Sequence, residues 1–118
     1  NKKLSHKKLT YTQKGKKISF IFDTRYCKSA KKLAENSEIA IIESTFSSET
    51  KELQDTAKNY YHLTSEQAAK IAKESKVKKL VLTHISQRYE NNPEKILKEA
   101  KRVFPNTVLA HDFMRIEI

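Results

Sequence analysis

Short apolar runs alternate with amphipathic segments along the chain, and this alternation predicts the elements of the fold. The β-prone runs at 18–22, 39–42 and 80–82 predict three strands. Two further strands are predicted at 107–110 and 113–118. Because helical segments separate the strands, the connections are crossovers, and the pattern predicts an α/β fold with an at least partly parallel sheet.

Four segments carry apolar residues at helical spacing, which predicts four helices between and after the first three strands. Thr64 and Gln67 form a capping-box pattern at the start of the third helix, and Pro93 suits the first turn of the fourth. The expected inward-facing residues are Cys27, Ala30, Leu33 and Ala34; Leu53, Ala57, Tyr60 and Tyr61; Ala68, Ile71 and Ala72; and Ile96, Leu97, Ala100, Val103 and Phe104.

Length and composition narrow the class of protein. The 118 residues fit one domain, and the longest apolar run has four residues, so no membrane span and no secretory signal are predicted. The single cysteine, Cys27, excludes an intramolecular disulfide and a cysteine-rich zinc module, and its place on a helix face suggests a small core residue. The lone glycine, Gly15, makes a dinucleotide-binding loop impossible. These features indicate a soluble protein of the cytoplasmic type.

The positive charge is concentrated at the start of the chain. The net charge is +10, and seven lysines precede the first acidic residue, Asp23. We therefore divide the chain into a basic lead-in, 1–17, and a domain, 18–118. Such asymmetry favours a polyanionic partner such as nucleic acid, although a solvated lead-in that keeps the chain soluble is the simpler alternative. His6 lies in this lead-in and has no predicted role.

The first three predicted strands each lead into a side chain suited to catalysis. Asp23, Glu43 and His84 follow the three strands, and His62 precedes the helix cap at Thr64. Ligands of open α/β sheets bind beyond the carboxyl ends of the strands, so Asp23, Glu43 and His84 are expected at one edge. Aspartate and histidine suit zinc, and two zinc ions suit a hydrolytic site. Glu43 could orient His62 for proton delivery.

Each of these residues also has an ordinary structural alternative. Asp23 could cap the following helix, Glu43 could brace a turn, and His62 or His84 could serve only as a structural hydrogen-bonding group. His111 and Asp112 lie at another predicted strand end, and we interpret His111 as structural.

Four segments together carry a family resemblance. Asp23-Thr24-Arg25, Ile42-Glu43-Ser44-Thr45, His62-Leu63-Thr64 and the segment 82–89, which reads Leu-Thr-His-Ile-Ser-Gln-Arg-Tyr, follow in that order. They resemble the C-terminal half of the ribonuclease Z family, tRNA 3′-processing endonucleases of the metallo-β-lactamase superfamily. The stretch from Phe104 to Met114 is also similar to the end of that family. The resemblance implies half of an αββα sandwich.

The resemblance also implies roles for individual residues. Asp23 matches the aspartate that bridges two zinc ions, and His84 matches a zinc-ligating histidine. Glu43 and His62 match the pair thought to protonate the leaving 3′ oxygen. The implied substrate-binding residues are Thr24, Arg25, Ser86 and Arg88.

The implied activity is zinc-dependent removal of the 3′ trailer from precursor tRNA, in which a metal-activated hydroxide attacks the phosphodiester. Two motif positions differ, because Ile42 replaces a histidine and Phe22 replaces a glycine. The family's His-x-His-x-Asp-His cluster is absent from this sequence. We therefore expect the chain to need the N-terminal half of the domain for activity. The family also implies a homodimer.

Two other functions remain open from the sequence. The first is a metallo-β-lactamase-type hydrolase that acts on a different phosphodiester or ester. The second is a non-catalytic basic RNA-binding module, which would bind in a salt-sensitive manner without needing Asp23 or His84. No RRM, KH or zinc-finger signature supports the second.

Overall fold

A computed structural model describes residues 10–118, in which strands alternate with helices. The strands are β1 (Ile18–Ile21), β2 (Ile39–Glu43), β3 (Lys79–Thr83) and β4 (Thr107–Leu109). The helices are α1 (Lys28–Ala34), α2 (Lys51–Asn59), α3 (Ser65–Glu74) and α4 (Glu94–Val103), with a short 3₁₀ turn at Gln87–Tyr89.

The four strands form one sheet in the order β1-β2-β3-β4. All three of these strand pairings are parallel, which confirms the predicted α/β fold. Because neighbouring strands are parallel, their carboxyl ends meet at the same edge of the sheet. This edge carries the candidate site.

One face of the sheet is covered by helices and holds the main core. Ile42, Leu80 and Leu82 are fully buried there and pack in one cluster with the helix residues Ile71 and Ile96. Many of the helix side chains in this core are small. Five alanines are also fully buried: Ala34, Ala68, Ala69, Ala72 and Ala100. Alanine allows the helices to approach the sheet and each other closely, and it has the highest intrinsic helix propensity.

The opposite face of the sheet carries an apolar row. Phe20 pairs in register with Ile41, Ile41 with Val81, and Val81 with Val108, so these four side chains project to the same face. Phe20 is 59% exposed and Ile18 is 42% exposed at the β1 edge. Val81, at the centre of the row, is only 2% exposed, so this face is open at its β1 end.

The predicted capping box is present at the start of α3. Thr64 and Gln67 form a complete capping box at α3, in which the Gln67 backbone N–H donates to the Thr64 hydroxyl and the Thr64 backbone N–H donates to Gln67 Oε1. The hydroxyl of Thr50 caps α2 by accepting from the Leu53 N–H. Pro93 lies at the N-cap of α4.

Some local predictions are wrong. The predicted strand at 113–118 does not form, because Phe113 adopts a positive φ of 60°, which interrupts an extended backbone. Helix α2 ends at Asn59, so Tyr60 and Tyr61 lie beyond it and are 71% and 56% exposed. Leu33 is 53% exposed at the sheet edge instead of facing the core.

The predicted basic lead-in is only partly within the described residues. Residues 1–9, including His6, lie outside them, and 10–17 have no regular secondary structure and are exposed. Lys16 Nζ donates to the backbone oxygen of Ile118 over 2.6 Å, which joins the lead-in to the last residue of the chain. Among residues 10–118, no helix has the length and apolar character needed to cross a membrane.

Candidate active site

The carboxyl ends of β1, β2 and β3 meet around the carboxylate of Glu43. The backbone N–H of Thr24, next to Asp23, donates to Glu43 Oε1 over 3.2 Å. His84 Nδ1 lies 3.6 Å from Glu43 Oε2. The structure therefore brings the three predicted strand ends to one edge, as the parallel sheet requires.

Glu43 is a fully buried carboxylate whose two oxygens both have partners. Oε2 accepts from the hydroxyl of Thr45 over 2.7 Å and lies 2.8 Å from His62 Nδ1. Oε1 accepts the Thr24 N–H. A buried charge needs such partners to offset its loss of hydration, and here each bond also fixes the carboxylate in one orientation.

His62 reaches Glu43 from the connection between α2 and α3. The backbone N–H of His62 donates to Ala57 O over 2.8 Å and so closes the end of α2, and the α3 cap begins two residues later. The His62 side chain is 23% exposed, and its ring centroid lies 5.4 Å from that of His84. Because Nδ1 faces Glu43, Nε2 is the nitrogen that remains for chemistry.

His84 is oriented by Thr45. Its Nδ1 lies 3.1 Å from Thr45 Oγ1, and that hydroxyl gives its single proton to Glu43. Thr45 Oγ1 therefore accepts from a protonated His84 Nδ1, which leaves the lone pair on Nε2. Such an outer hydrogen bond is the usual means of fixing the tautomer of a metal-ligating histidine.

Three residues at this edge have left-handed backbone conformations. The φ angles are 51° at Asp23, 54° at His84 and 59° at Tyr61, which directly precedes His62. Each such conformation costs roughly 1–3 kcal/mol in a residue other than glycine. The backbone is therefore in an unfavourable conformation at these three positions, and this conformation sets the direction of the candidate catalytic side chains.

Glu43, His62 and His84 lie close enough together to hold a metal ion, and an ion bound by all three would replace the hydrogen bond between His62 and Glu43. One ligand atom from each lies within 4.8 Å of the others. Imidazole nitrogen and carboxylate oxygen are zinc donors, so the chemistry of the set fits zinc. The predicted ligand Asp23 lies outside this three-residue group; it is exposed, next to Thr24, and its role as a ligand remains a prediction.

The four predicted substrate-binding residues surround the same edge. Arg88 lies over the Phe46 ring, with its guanidinium carbon 5.1 Å from the centroid, and the Ser86 backbone N–H donates to Thr45 O over 3.1 Å. Arg25 Nε donates to Lys58 O over 2.6 Å. The guanidinium carbon of Arg25 also lies 4.1 Å from the centroid of the Tyr61 ring. Their contact with a substrate remains a prediction.

Glu99 on α4 is an organising residue that the sequence analysis missed. Its carboxylate accepts from the hydroxyl of Ser47 over 2.6 Å, the N–H of Ser48 over 2.7 Å and the hydroxyl of Ser65 over 2.5 Å. These bonds join the segment after Glu43 to the start of α3, next to His62. The sequence does contain one indication of this role. Glu99 is an acidic residue three positions after the buried Ile96, so it lies on the apolar side of the helix.

The two remaining residues of chemical interest lie apart from the acid–histidine group. Cys27 is partly buried against the core, as predicted, and hydrogen bonds from the Ala30 backbone and then from the Thr24 hydroxyl lower the pKa of its thiol. His111 is exposed, and its Nδ1 donates to the backbone oxygen of the adjacent Asp112 over 3.1 Å.

Comparison with known proteins gives the same family as the sequence motifs. A ribonuclease Z of Bacillus licheniformis is 49% identical over 107 residues, which are 90% of this chain and 34% of that protein. A ribonuclease Z of the archaeon Archaeoglobus fulgidus is 42% identical over 106 residues. The chain is homologous to ribonuclease Z over one third of that protein. It spans about a third of the length of the curated relatives it matches.

Solved structures with the metallo-β-lactamase fold also align with the chain. The metallo-β-lactamase fold protein YhfI of Bacillus subtilis aligns with a TM-score of 0.64 and 29% identity, over 75% of this chain and 34% of that one. Human tRNase Z, short form, aligns with a TM-score of 0.54 and 35% identity, over 75% of this chain and 27% of that one. The fold is part of a metallo-β-lactamase domain, as predicted. No family model matches the chain.

Proposed function

We propose that the protein of which this chain forms part is a zinc-dependent endoribonuclease that removes the 3′ trailer from precursor tRNA. The homology to ribonuclease Z and the geometry at the carboxyl ends of the strands support this proposal. Within it, His62 and Glu43 supply the leaving-group proton, and Asp23 and His84 hold metal. Two zinc ions, when bound, would activate water and offset the charge that develops on the phosphodiester.

The observation that carries the proposal is the 2.8 Å contact between His62 Nδ1 and the buried Glu43 carboxylate. Hydrolysis of a phosphodiester releases an alkoxide, which needs a proton. Because Nδ1 contacts the Glu43 carboxylate, Nε2 is the atom that would donate the proton. Because Glu43 is held by the Thr45 hydroxyl and the Thr24 N–H, the pair needs no rearrangement before the proton moves.

In this proposal, metal is held by His84 and Asp23, because each has a ligand atom that is free to bind it. His84 presents Nε2, because its Nδ1 is bonded to Thr45. Asp23 is exposed at the same edge and, within residues 10–118, its carboxylate has no hydrogen-bond or ion-pair partner. Two ligands are too few for a two-zinc site, so the proposal includes further ligands from a complementary part of the domain.

Substrate binding in this proposal uses the groups around the metal edge. Arg88 and Ser86 follow His84 closely, and Thr24 and Arg25 follow Asp23, so phosphate groups near the cleaved bond would contact them. We extend the proposal to a cytoplasmic homodimer, which light scattering of the purified protein and cell fractionation test.

The experiment compares histidine variants of the full-length protein on two substrates. We expect zinc-loaded wild-type protein to cleave a 5′-labelled precursor tRNA to a product ending in a 3′ hydroxyl, and His84→Ala to lose this activity. His111→Ala is the matched control and should retain it, because the His111 side chain is exposed and, within residues 10–118, its hydrogen bond is to the backbone of the adjacent Asp112. Cleavage of a small phosphodiester without cleavage of precursor tRNA would instead indicate a different hydrolase. Salt-sensitive RNA binding without cleavage would indicate a non-catalytic module.

A further inference from the structure

A cleft opens beside His62, on the side of the ring that faces α2. Its volume is about 340 Å³, within the range of small-molecule sites in proteins. The walls come from the end of α2, the start of α3 and the connection after β1, and they include Arg25, Gln54, Lys58, His62 and Gln67.

Two glutamine side chains in this cleft are held in fixed orientations. Gln54 Nε2 donates to Ser48 O over 2.7 Å, and Gln67 Oε1 accepts from the Thr64 N–H over 3.0 Å. The amide nitrogen of Gln54 and the amide oxygen of Gln67 are thus each hydrogen-bonded to the backbone. In the part of the chain that the structure describes, Gln54 Oε1 and the Gln67 Nε2 hydrogens have no partner, so an acceptor and a donor are available to a ligand.

The guanidinium of Arg25 is fixed in the same way. Nε is occupied by Lys58 O at 2.6 Å, and the guanidinium lies over the Tyr61 ring. The two terminal nitrogens have no partner among residues 10–118. A planar cation with free terminal N–H groups is suited to a phosphate oxygen pair.

The charge of the cleft favours an anionic ligand. Its acidic residue, Asp55, is paired with Lys51, whose Nζ lies 3.5 Å from Asp55 Oδ1. With Arg25 and Lys58 against Asp55, and His62 taken as neutral, the lining has a formal net charge of +1. An aromatic group, Tyr61, lies next to it and is 56% exposed. Cations beside aromatic rings and free amides are typical of sites for single-stranded nucleic acid.

We propose that this cleft binds the nucleotide whose 3′ oxygen is released by cleavage, which is the last nucleotide of the retained RNA. Gln54 and Gln67 contact its base, and Arg25 contacts the phosphate on its 5′ side. The inference rests on the proposed function, because His62 protonates the 3′ oxygen of that nucleotide and so the nucleotide must lie beside His62. A base preference at this single position follows.

The test measures binding of the uncleavable product to the full-length protein. The probe is a fluorescently labelled short RNA with a 3′ hydroxyl, prepared with each of the four bases and with an abasic residue at its last position. Gln67→Glu is the principal variant, because glutamate preserves the capping box at α3 while it removes the Nε2 donors. We expect Kd for the preferred base to rise about tenfold in this variant, as for one lost hydrogen bond, and the effect to disappear on abasic RNA.

Asn59→Asp is the matched control, because it adds the same negative charge at the end of α2, where residue 59 does not line the cleft. An equal loss of affinity in Asn59→Asp, or an undiminished Gln67→Glu effect on abasic RNA, would overturn the inference. Equal affinity of the wild type for all five probes would also overturn it. Binding of the product is measured without cleavage, so failure of the nuclease proposal would appear separately, as inactivity on precursor tRNA.

Discussion

His84 Nδ1 lies 3.1 Å from Oγ1 of Thr45, and the same hydroxyl donates to Glu43 over 2.7 Å. A single threonine therefore joins the candidate metal-ligating histidine to the carboxylate that orients the candidate proton donor. The two halves of the proposed chemistry share this hydroxyl, although their residues come from different strands and loops.

Replacement of Thr45 by valine tests this link. Thr45→Val keeps the side-chain shape but removes one of the two donors to the buried Glu43 Oε2 and the acceptor of His84 Nδ1. We therefore expect the free energy of unfolding to fall by about 1–3 kcal/mol. Urea denaturation followed by circular dichroism measures the change. Ser44→Ala is the control: Ser44 Oγ is buried and has no hydrogen-bond partner within the described chain, so its loss should not destabilise the fold. Equal destabilisation by the two changes would contradict the assigned role of Thr45.

Removal of the proposed proton donor should affect turnover more than binding. His62→Asn retains a polar side chain but not the proton, and we expect kcat on precursor tRNA to fall roughly 10²–10⁴-fold with little change in zinc content. Single-turnover cleavage and metal analysis of the purified protein measure the two quantities. Loss of zinc in parallel with activity would indicate that His62 is a ligand, as its place in the Glu43–His62–His84 group also allows.

The Glu99 hydrogen bonds predict a distant effect on the site. Glu99→Ala leaves the hydroxyls of Ser47 and Ser65 and the N–H of Ser48 without their acceptor, so we expect a loss of about 2–4 kcal/mol in the free energy of unfolding. Hydrogen exchange should become faster at Ser48. Lys98→Ala is the control, because Lys98 is the exposed neighbour of Glu99 on α4. It should change neither the free energy of unfolding nor the exchange at Ser48. Faster exchange in Lys98→Ala would mean that the effect comes from the helix as a whole and not from the Glu99 hydrogen bonds.

The exposed Phe20 at the β1 edge predicts association through this side of the sheet. In the isolated chain, Phe20→Thr should reduce self-association, measured by light scattering, and should cost little stability because Phe20 is 59% exposed. Ile42→Thr places a hydroxyl in the fully buried core on the other face, and we expect it to destabilise the fold by about 2–3 kcal/mol. If Phe20→Thr left self-association unchanged, the association surface would lie elsewhere.

The contact between Tyr26 and Glu74 predicts a stability difference that depends on pH. The Tyr26 hydroxyl and then Lys31 hold the pKa of Glu74 below its ordinary value of 4.5, so this contribution is present above pH 4.5 and is lost as the pH falls through the lower folded value. The same hydrogen bond raises the pKa of Tyr26 above 10.0, so its contribution is lost as the pH rises through the higher folded value. The linkage follows from the difference in bound protons between the two states.

The stability difference between wild type and Tyr26→Phe should therefore be largest between these limits and shrink at both ends. Urea denaturation across the pH range measures it. Tyr11→Phe, at an 85% exposed position, provides the reference and should give no such profile. A difference that persists undiminished in acid well below pH 4.5 would contradict the linkage to Glu74.

Much of the sheet and its edge could be predicted from sequence, because short apolar strands and crossover helices restrict the topology strongly. The convergence of Glu43 and His84 followed from the parallel arrangement alone, and the capping box at Thr64 was readable from two residues. The pairing of His62 with Glu43 was first suggested by residue chemistry, and the resemblance to a family supported it, since a loop position carries no periodic signal. The structure supplied the contact itself.

Thr45, Glu99 and the Tyr61–Arg25 contact could not be predicted, because each depends on side-chain orientation across elements distant in sequence. Threonine and glutamate are common at solvent-exposed positions, so their residue types gave no indication of burial or bonding. The predicted strand at 113–118 was wrong for a related reason. The segment does contain β-prone residues, but Phe113 has a left-handed backbone conformation and the segment does not join the sheet.

The strand order of the sheet follows the order of synthesis, since each strand pairs with the next one along the chain. A ribosome that has released residues up to His84 has therefore already delivered Asp23, Glu43 and His62 together with the three strands that support them. Helix α4 and its Glu99 emerge afterwards. Because Glu99 accepts hydrogen bonds from Ser47 and Ser48, we expect the segment after Glu43 to become ordered only after α4 has emerged.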